Sequence, residues 1–241
     1  MAAAAQPAPV PGFAGKPPET LPETPRTVAA ATLLAASGGL LDAVVWLLHG
    51  HVFANAMTGN VVLLAIALVS HDYAQVMRHV TPLGAFVLGV SLGKYVLQYH
   101  SASALRLALL IEMAGLAIAG APLHLPSKAV VGLVALTAAL QITAFRRLGN
   151  VAYNTTFVTG NLRAVFDGAF DMLFPVEPRV QIRKRGRRMF RDLGVICLGF
   201  LAGAVLGAWC APRFGDRSFW IADLLLLAAG LLIRESLAPT V

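Results

Sequence analysis

Two stretches of this chain carry the same three residues in the same setting. Thr58-Gly59-Asn60 lies in FANAMTGNVVLL and Thr159-Gly160-Asn161 in AYNTTFVTGNLR, each after a long apolar run and each opening a shorter one. Threonine hydroxyls and asparagine amides both donate and accept hydrogen bonds. Inside apolar surroundings they either hold a polar ligand or satisfy irregular backbone that lines a cavity. Asn55 precedes the first motif and Asn154 the second. Two acids join them, Asp42 in SGGLLDAVVWL and Glu112 in LLIEMAGLAI, each the lone acid of an apolar run. A carboxylate inside a bilayer costs roughly 2.5 to 3.5 kcal/mol on insertion scales, so it faces a bundle interior and is by default an ion or proton site. For Asp42 a plainer alternative stands beside that one: the run from Thr27 carries it about 23 Å across, near enough to the aqueous end to be solvated.

The elements that must position these groups are membrane helices. With 57% hydrophobic and 13% charged residues and a mean hydropathy of +0.71, the chain lies far from the roughly 25% charged balance of soluble proteins. Its apolar runs recur at lengths that cross a hydrocarbon layer about 30 Å thick. Little chain is left over, which excludes a large extramembrane enzyme. The first span covers about 27–48, and its Ser37-Gly38-Gly39 permits close helix approach or a kink. The apolar run after Asn60 ends at Val69 and is short. It suits a half-length helix that starts inside the membrane, with Thr and Asn as N-caps and unpaired N–H groups that favour negative charge. An ordinary short hairpin is the alternative. The third span, about 80–97, spaces Gly89 and Gly93 for tight packing. The fourth, about 104–119, holds Glu112, for which Lys94 is a candidate partner.

The second half repeats the first. Asp42, Gly50 and Asn55 fall opposite Gln141, Gly149 and Asn154, and a short insertion then aligns the two Thr-Gly-Asn. Leu83, Gly84, Leu88, Gly89 and Gly93 match Leu193, Gly194, Leu198, Gly199 and Gly203 at constant spacing, and LLIEMAGLAI matches LLLLAAGLLI. Asp42 becomes Gln141, and Glu112 becomes Leu227. The expected fold is therefore an all-α polytopic membrane protein. It has two homologous repeats, 27–122 and 127–235, of four hydrophobic segments each, with a short interrupted helix after each Thr-Gly-Asn and six to eight crossings. Residues 1–26, rich in Pro and Ala, lack the pattern of a signal peptide and are expected to form a disordered tail.

A basic loop at about 175–191, with Arg183, Lys184, Arg185, Arg187 and Arg188, belongs in the cytoplasm by the positive-inside rule and would bind anionic lipid. Both termini are then cytoplasmic. If all eight segments cross, the repeats are parallel. If the two short ones re-enter, six cross and the repeats are inverted. The charge count favours six, because Lys94, Arg106, Arg146, Arg147 and Arg163 then join the cytoplasmic set, whereas the apolar run after Asn60 favours eight.

SGGLLDAVVWL from Ser37, FANAMTGNVVLL from Phe53, TFVTGNL from Thr156 and the later glycine pattern together resemble the YoaK-like small membrane proteins of bacteria, over about residues 27–235. That resemblance implies a membrane domain of unknown function and brings no substrate and no catalytic residue. In this chain Arg163, Asp167 and Asp171 follow the second motif at helical spacing, which suits an interfacial helix or charges paired along it.

Nucleic acid is not the expected partner, since membrane topology itself demands basic cytoplasmic segments. Cys197 and Cys210 have no CxxC or nearby His and suit packing. His49, His51, His71 and His79 flank the first short helix but offer only an HxH pattern, so neither a metal nor a cofactor is assigned. Trp209 and Trp220 suit interfacial anchors. There is no Ser/His/Asp set, HExxH or Asp-rich motif. The expected function is an inner-membrane permease or secondary transporter of a small polar or anionic substrate. Its polar cavity would be formed by Asp42, Asn55, Thr58, Asn60, Gln141, Asn154, Thr159 and Asn161. Coupling to a proton or ion would fall to Asp42 or Glu112, with Asp42→Asn expected to keep the fold and lose pH dependence. The alternatives are a noncatalytic membrane scaffold or partner protein, and a lipid-modifying membrane enzyme using those acids.

Overall fold

A computed structural model describes residues 24–99, 104–145, 147–148, 151–152, 158–174 and 180–237. The described chain forms α1 (Pro25–Leu48), α2 (Met57–Val69), α3 (Tyr73–Tyr99), α4 (Ala104–Ala119), α5 (Ser127–Ala144), α6 (Val158–Leu173), α7 (Val180–Phe214) and α8 (Phe219–Leu237). A 3-10 turn, Gly215–Ser218, joins α7 to α8. Two antiparallel two-residue strands, β1 (Arg147–Leu148) and β2 (Val151–Ala152), pair between α5 and α6. Pro25–Leu48, Tyr73–Tyr99, Ser127–Ala144 and Ile182–Ile233 are long and apolar enough to cross a bilayer, the last stretch comprising most of α7 and α8. The protein is a multi-helix membrane protein.

Local chemistry sets the start of α1. Thr24 and Thr27 form a capping box, in which the Thr24 amide donates to Thr27 Oγ1 at 2.9 Å and the Thr27 amide donates to Thr24 Oγ1 at 3.3 Å, with Pro25 in the first turn. The helix thus begins at Pro25, slightly before the apolar run itself.

Packing is organised by glycines. A Cβ at Gly203 would overlap the Ala36 carbonyl, one at Gly199 would lie 2.6 Å from the Thr32 methyl, and one at Gly207 2.6 Å from the Leu40 carbonyl oxygen. α7 therefore runs parallel to α1, residue by residue up the same groove. Likewise a Cβ at Gly89 would overlap the Leu136 carbonyl and one at Gly93 would lie 2.9 Å from Thr143 Cβ, so α3 runs parallel to α5. α1 also packs on α8, α5 on α4, and α4 on α8.

The helix ends gather at two poles. At one, His49 just past α1 bonds Asp216 in the 3-10 turn at 3.0 Å, Gly50 lies against Arg78 near the start of α3, and the Trp220 indole at the start of α8 donates to the Ala117 carbonyl at the end of α4. The first residues of α5 line a cavity with His49 and Arg78 at this same pole. At the other, Thr24 and Pro25 share a cavity with Arg188, Arg191 and Asp192. α1, α4 and α7 thus point one way and α3, α5 and α8 the other.

One expectation needs correction here. Arg183, Lys184, Arg185, Arg187 and Arg188 lie not in a loop but in the first turns of α7, where all five are exposed. Lys and Arg are good helix formers, and Gly186 holds this extension against α6, where a Cβ would approach the Gly168 carbonyl at 2.6 Å. On α6 the exposed Arg163 and Asp167 pair at 3.7 Å.

Candidate functional site

The site is built on one face of α1. Beyond Leu48 the chain turns through Gly50 (φ 87) and His51 (φ 58) and runs back along α1 instead of continuing outward. The Asn55 amide donates to Asp42 Oδ1 at 2.8 Å, and Asn55 Nδ2 donates to the Gly38 carbonyl at 3.2 Å. At about 1.5 Å of rise per residue, Gly38 lies roughly 15 Å down the helix from Leu48. α2 starts at that depth, and its 13 residues cover about 20 Å back toward the pole where α3 begins.

Asn60 locks this turn. Its Nδ2 donates to the Phe53 carbonyl at 2.8 Å and its Oδ1 accepts from the Phe53 amide at 3.0 Å. Gly59 leaves room for the Phe53 ring, which a Cβ would meet at 2.9 Å. The motif therefore does not cap α2 from outside, as its residue types suggest. The N-cap is Ala56, with no side-chain cap bond, and Thr-Gly-Asn occupies the first turn because Asn60 reaches backward to the loop. In α6 the motif again lies in the first turn, after Val158.

Gln141 completes the arrangement from α5, its Nε2 donating to the Leu34 carbonyl at 3.2 Å. Leu34, Gly38 and Asp42 succeed one another at four-residue spacing, so Gln141, Asn55 and the Asp42 carboxylate sit on consecutive turns of one helical face. Asn55 and Gln141 are both fully buried, and Asn55 Oδ1 and Gln141 Oε1 have no hydrogen-bond partner. A buried acceptor left unmatched costs about 1–3 kcal/mol, so a donor would stabilise each of them.

Of the residues expected to form one cavity, Asp42, Asn55 and Gln141 are brought together. Thr58 and Thr159 are exposed, Asn60 is committed to Phe53, and Asn161 is buried on α6. Asn154 lies outside the described residues. α2 packs on α3 and α6 on α7, so the two motifs belong to different helix pairs.

Glu112 is fully buried on α4, and neither carboxylate oxygen has a hydrogen-bond partner. Lys94, its candidate partner, is exposed on α3. The charge that acts on Glu112 is instead another acid, Asp223 of α8, one of whose oxygens is also buried without a partner. Asp223 was legible by the criterion that picks out Glu112, a lone acid in an apolar run, FWIADLLLLAAG.

Among the histidines, His51 is exposed beside the Trp46 ring, His71 is exposed, and His79 is buried on α3. Among the described residues no group of three His, Cys, Asp or Glu side chains is placed to hold a metal. Cys197 and Cys210 are free.

His49, beyond the end of α1, is the titrating group at this pole. Burial pushes its imidazole below the usual 6.5, and the charge and hydrogen bond of Asp216 oppose this in part. The unfolded chain therefore takes up this proton before the folded one does. Its contribution to stability is intact above about pH 6.5 and is lost as pH falls from there through the lowered folded value. Unfolding midpoints measured between about pH 7.5 and 5 should fall on the acid side, and His49→Gln should flatten that part of the profile.

The family model described as protein of unknown function (DUF1275) matches residues 30–232. The chain belongs to the DUF1275 family. It is 26% identical over 210 residues to the UPF0700 transmembrane protein YoaK of Bacillus subtilis (strain 168), a match covering 81% of this chain and 88% of that protein. No solved structure matches the chain. The DUF1275 match takes in all but the first residues of α1, the Asn55 loop, both Thr-Gly-Asn motifs, Glu112 and Asp223.

Proposed function

We propose that this DUF1275 protein is a small-molecule permease of secondary-transporter type in the cell's inner membrane. The observation that carries it is the Asn55 loop, which returns to the level of Gly38 and starts α2 there, beside two unpartnered amide oxygens. Discontinuous helices with polar groups at mid-depth are the sequence and structural pattern of such carriers. In this reading α2 and α6 re-enter, α1, α3, α4, α5, α7 and α8 cross, and 27–122 and 127–235 are inverted repeats. The exchange of packing supports it, with α1 seated on α7 and α5 on α3.

The positive-inside rule supports the orientation. With the basic start of α7 and both termini cytoplasmic, Arg78, Lys128, Arg213 and Arg217 are the basic residues left outside, and anionic lipid is the partner of Arg183, Lys184, Arg185, Arg187 and Arg188. Asn55 and Gln141 would bind a polar group of the substrate. Asp42 holds the loop, and Glu112, next to Asp223, carries the proton or ion.

The test is uptake by proteoliposomes against a panel of small polar and anionic metabolites, with and without a pH gradient. For a transported compound, Glu112→Gln should remove the response to the gradient. Asp42→Asn, which keeps an oxygen for the Asn55 amide, should retain it. Uptake equal to that of empty liposomes across the panel would remove the permease reading. A noncatalytic scaffold is the second reading, favoured by Asn60, whose side chain is wholly committed to the loop backbone; it expects no uptake and undiminished folding.

A further inference from the structure

Glu112 stands near the middle of α4, 0% exposed and with both carboxylate oxygens unpartnered. Its direction follows from its neighbours. A Cβ at Gly115 would lie 2.5 Å from the Thr137 methyl of α5, and one at Gly230 of α8 would lie 3.5 Å from Leu109 Cδ1. Glu112 is three residues from Gly115 and three from Leu109, hence about 60° round the helix from each. Its side chain therefore points between α5 and α8, into the bundle. Two further acceptors come in from those helices. Gln141, fully buried, lies one turn beyond Thr137 on α5 as Glu112 lies one turn beyond Gly115 on the antiparallel α4, and its Oε1 is unmatched. Asp223 enters from α8 between the contacts of Trp220 with Ala117 and of Gly230 with Leu109, and its Oδ1 is buried and unmatched.

Among the described residues no basic side chain answers these acceptors. α4 packs on α5, α8 and α3. α8 brings Asp223, whose charge acts on Glu112. α5 brings only Lys128, exposed at its far end, and α3 brings Lys94, also exposed, as is Arg106 on α4 itself. A carboxylate without a counter-charge is not held in such surroundings and takes up a proton instead. A metal ion would need a shell of about six oxygens, and the backbone carbonyls here are spent in the unbroken turns of α4 and α8. A proton needs one oxygen, and it turns an acceptor into the donor that the set lacks. We propose that Glu112 is a proton-binding site, occupied in the resting protein and paired with Asp223. Its meaning for coupling rests on the permease reading, in which the coupled ion is then a proton. The protonation itself does not, so a failed uptake experiment leaves it standing.

Dicyclohexylcarbodiimide is the probe, because it is apolar enough to enter the bundle and reacts with carboxyl groups that hold a proton. The acid proton moves to a carbodiimide nitrogen and the carboxyl oxygen bonds the central carbon. Migration of the acyl group to nitrogen then leaves a stable N-acylurea with nothing expelled. The full chain in nanodiscs of zwitterionic lipid is treated between pH 6 and 9 and digested for mass spectrometry. Glu112 should carry the adduct, formed about tenfold faster at pH 6 than at pH 9 as the protonated fraction falls. A water-soluble carbodiimide should mark the exposed Asp167 and spare Glu112. Asp223→Asn, which removes the neighbouring negative charge, should lower labelling at pH 9 about threefold. Glu112→Gln should keep the parent's size-exclusion profile and unfolding midpoint, because an amide has the shape of a neutral acid. Protection of Glu112 by sodium or potassium chloride would replace the proton with a metal cation and overturn the assignment. So would the absence of adduct at pH 6, labelling untouched by Asp223→Asn, or a lowered midpoint for Glu112→Gln.

Discussion

Gly203→Val should leave almost no folded protein. A Cβ at Gly203 falls on the carbonyl of Ala36, a backbone atom on a helix that is itself buried on most sides. Overpacking a core with a flexible neighbour typically costs about 1–3 kcal/mol. Here no side chain can rotate aside, so α1 and α7 must separate, taking with them the neighbouring contacts at Gly199 and Gly207. That exceeds the margin of a fold only about 5–15 kcal/mol stable in favourable cases. Gly194→Ala is the control on the same helix, since nothing lies within 4 Å of a Cβ there. Fluorescence-detected size exclusion should show a monodisperse peak for Gly194→Ala and aggregate for Gly203→Val. A normal peak and unfolding midpoint for Gly203→Val would mean that the parallel α1–α7 contact is wrong.

The same glycines show what was legible from sequence. Small residues spaced to bring helices together are visible as a pattern, and both Gly89 and Gly203 make close backbone contacts. The pattern does not reveal the partner. Gly203 meets α1 and Gly89 meets α5, and nothing in local spacing distinguishes those helices from their neighbours. Apolar run length gave α4 to the residue, because hydrophobic burial in lipid acts all along a helix. It does not place the basic segment, because a run of charge reads as a loop signal although Lys and Arg extend helices well.

The polar residues were the least predictable in detail. Asn60 could have faced a cavity, but it turns back to Phe53, because a loop buried beside α1 must satisfy its own backbone. The same demand puts Asp42 under the amide of Asn55. A side chain's type shows that it needs partners, and only the path of the chain shows which. The cavity around Arg78 and Lys128 was hidden for that reason: its walls come from residues 49–52, 78 and 126–131, and no short motif joins them.

The topology can be decided by cysteine labelling, with an all-or-none readout. On the proposed arrangement the α2–α3 turn lies outside, at the pole of His49, Arg78 and Lys128, because the end of α1 and the start of α3 share that pole. On the same arrangement β1 and β2 lie inside with the basic start of α7. Trp209 and Trp220, both about half exposed, would then stand at the outer boundary. Arg213 stays with them, its Nη1 donating to the Trp209 carbonyl at 2.6 Å and its guanidinium lying 4.3 Å from the Trp209 ring centre, as an interfacial anchor does. In a background without Cys197 and Cys210, Asp72→Cys should react with an impermeant maleimide on intact cells. Arg147→Cys and Arg185→Cys should react only after the membrane is opened. If position 147 reacts from outside and 72 only from inside, α2 and α6 cross, eight helices span the membrane and the repeats are parallel. Were position 185 the one to react on intact cells, the whole orientation would be reversed, and the cavity of Arg78 and Lys128 would face the cytoplasm.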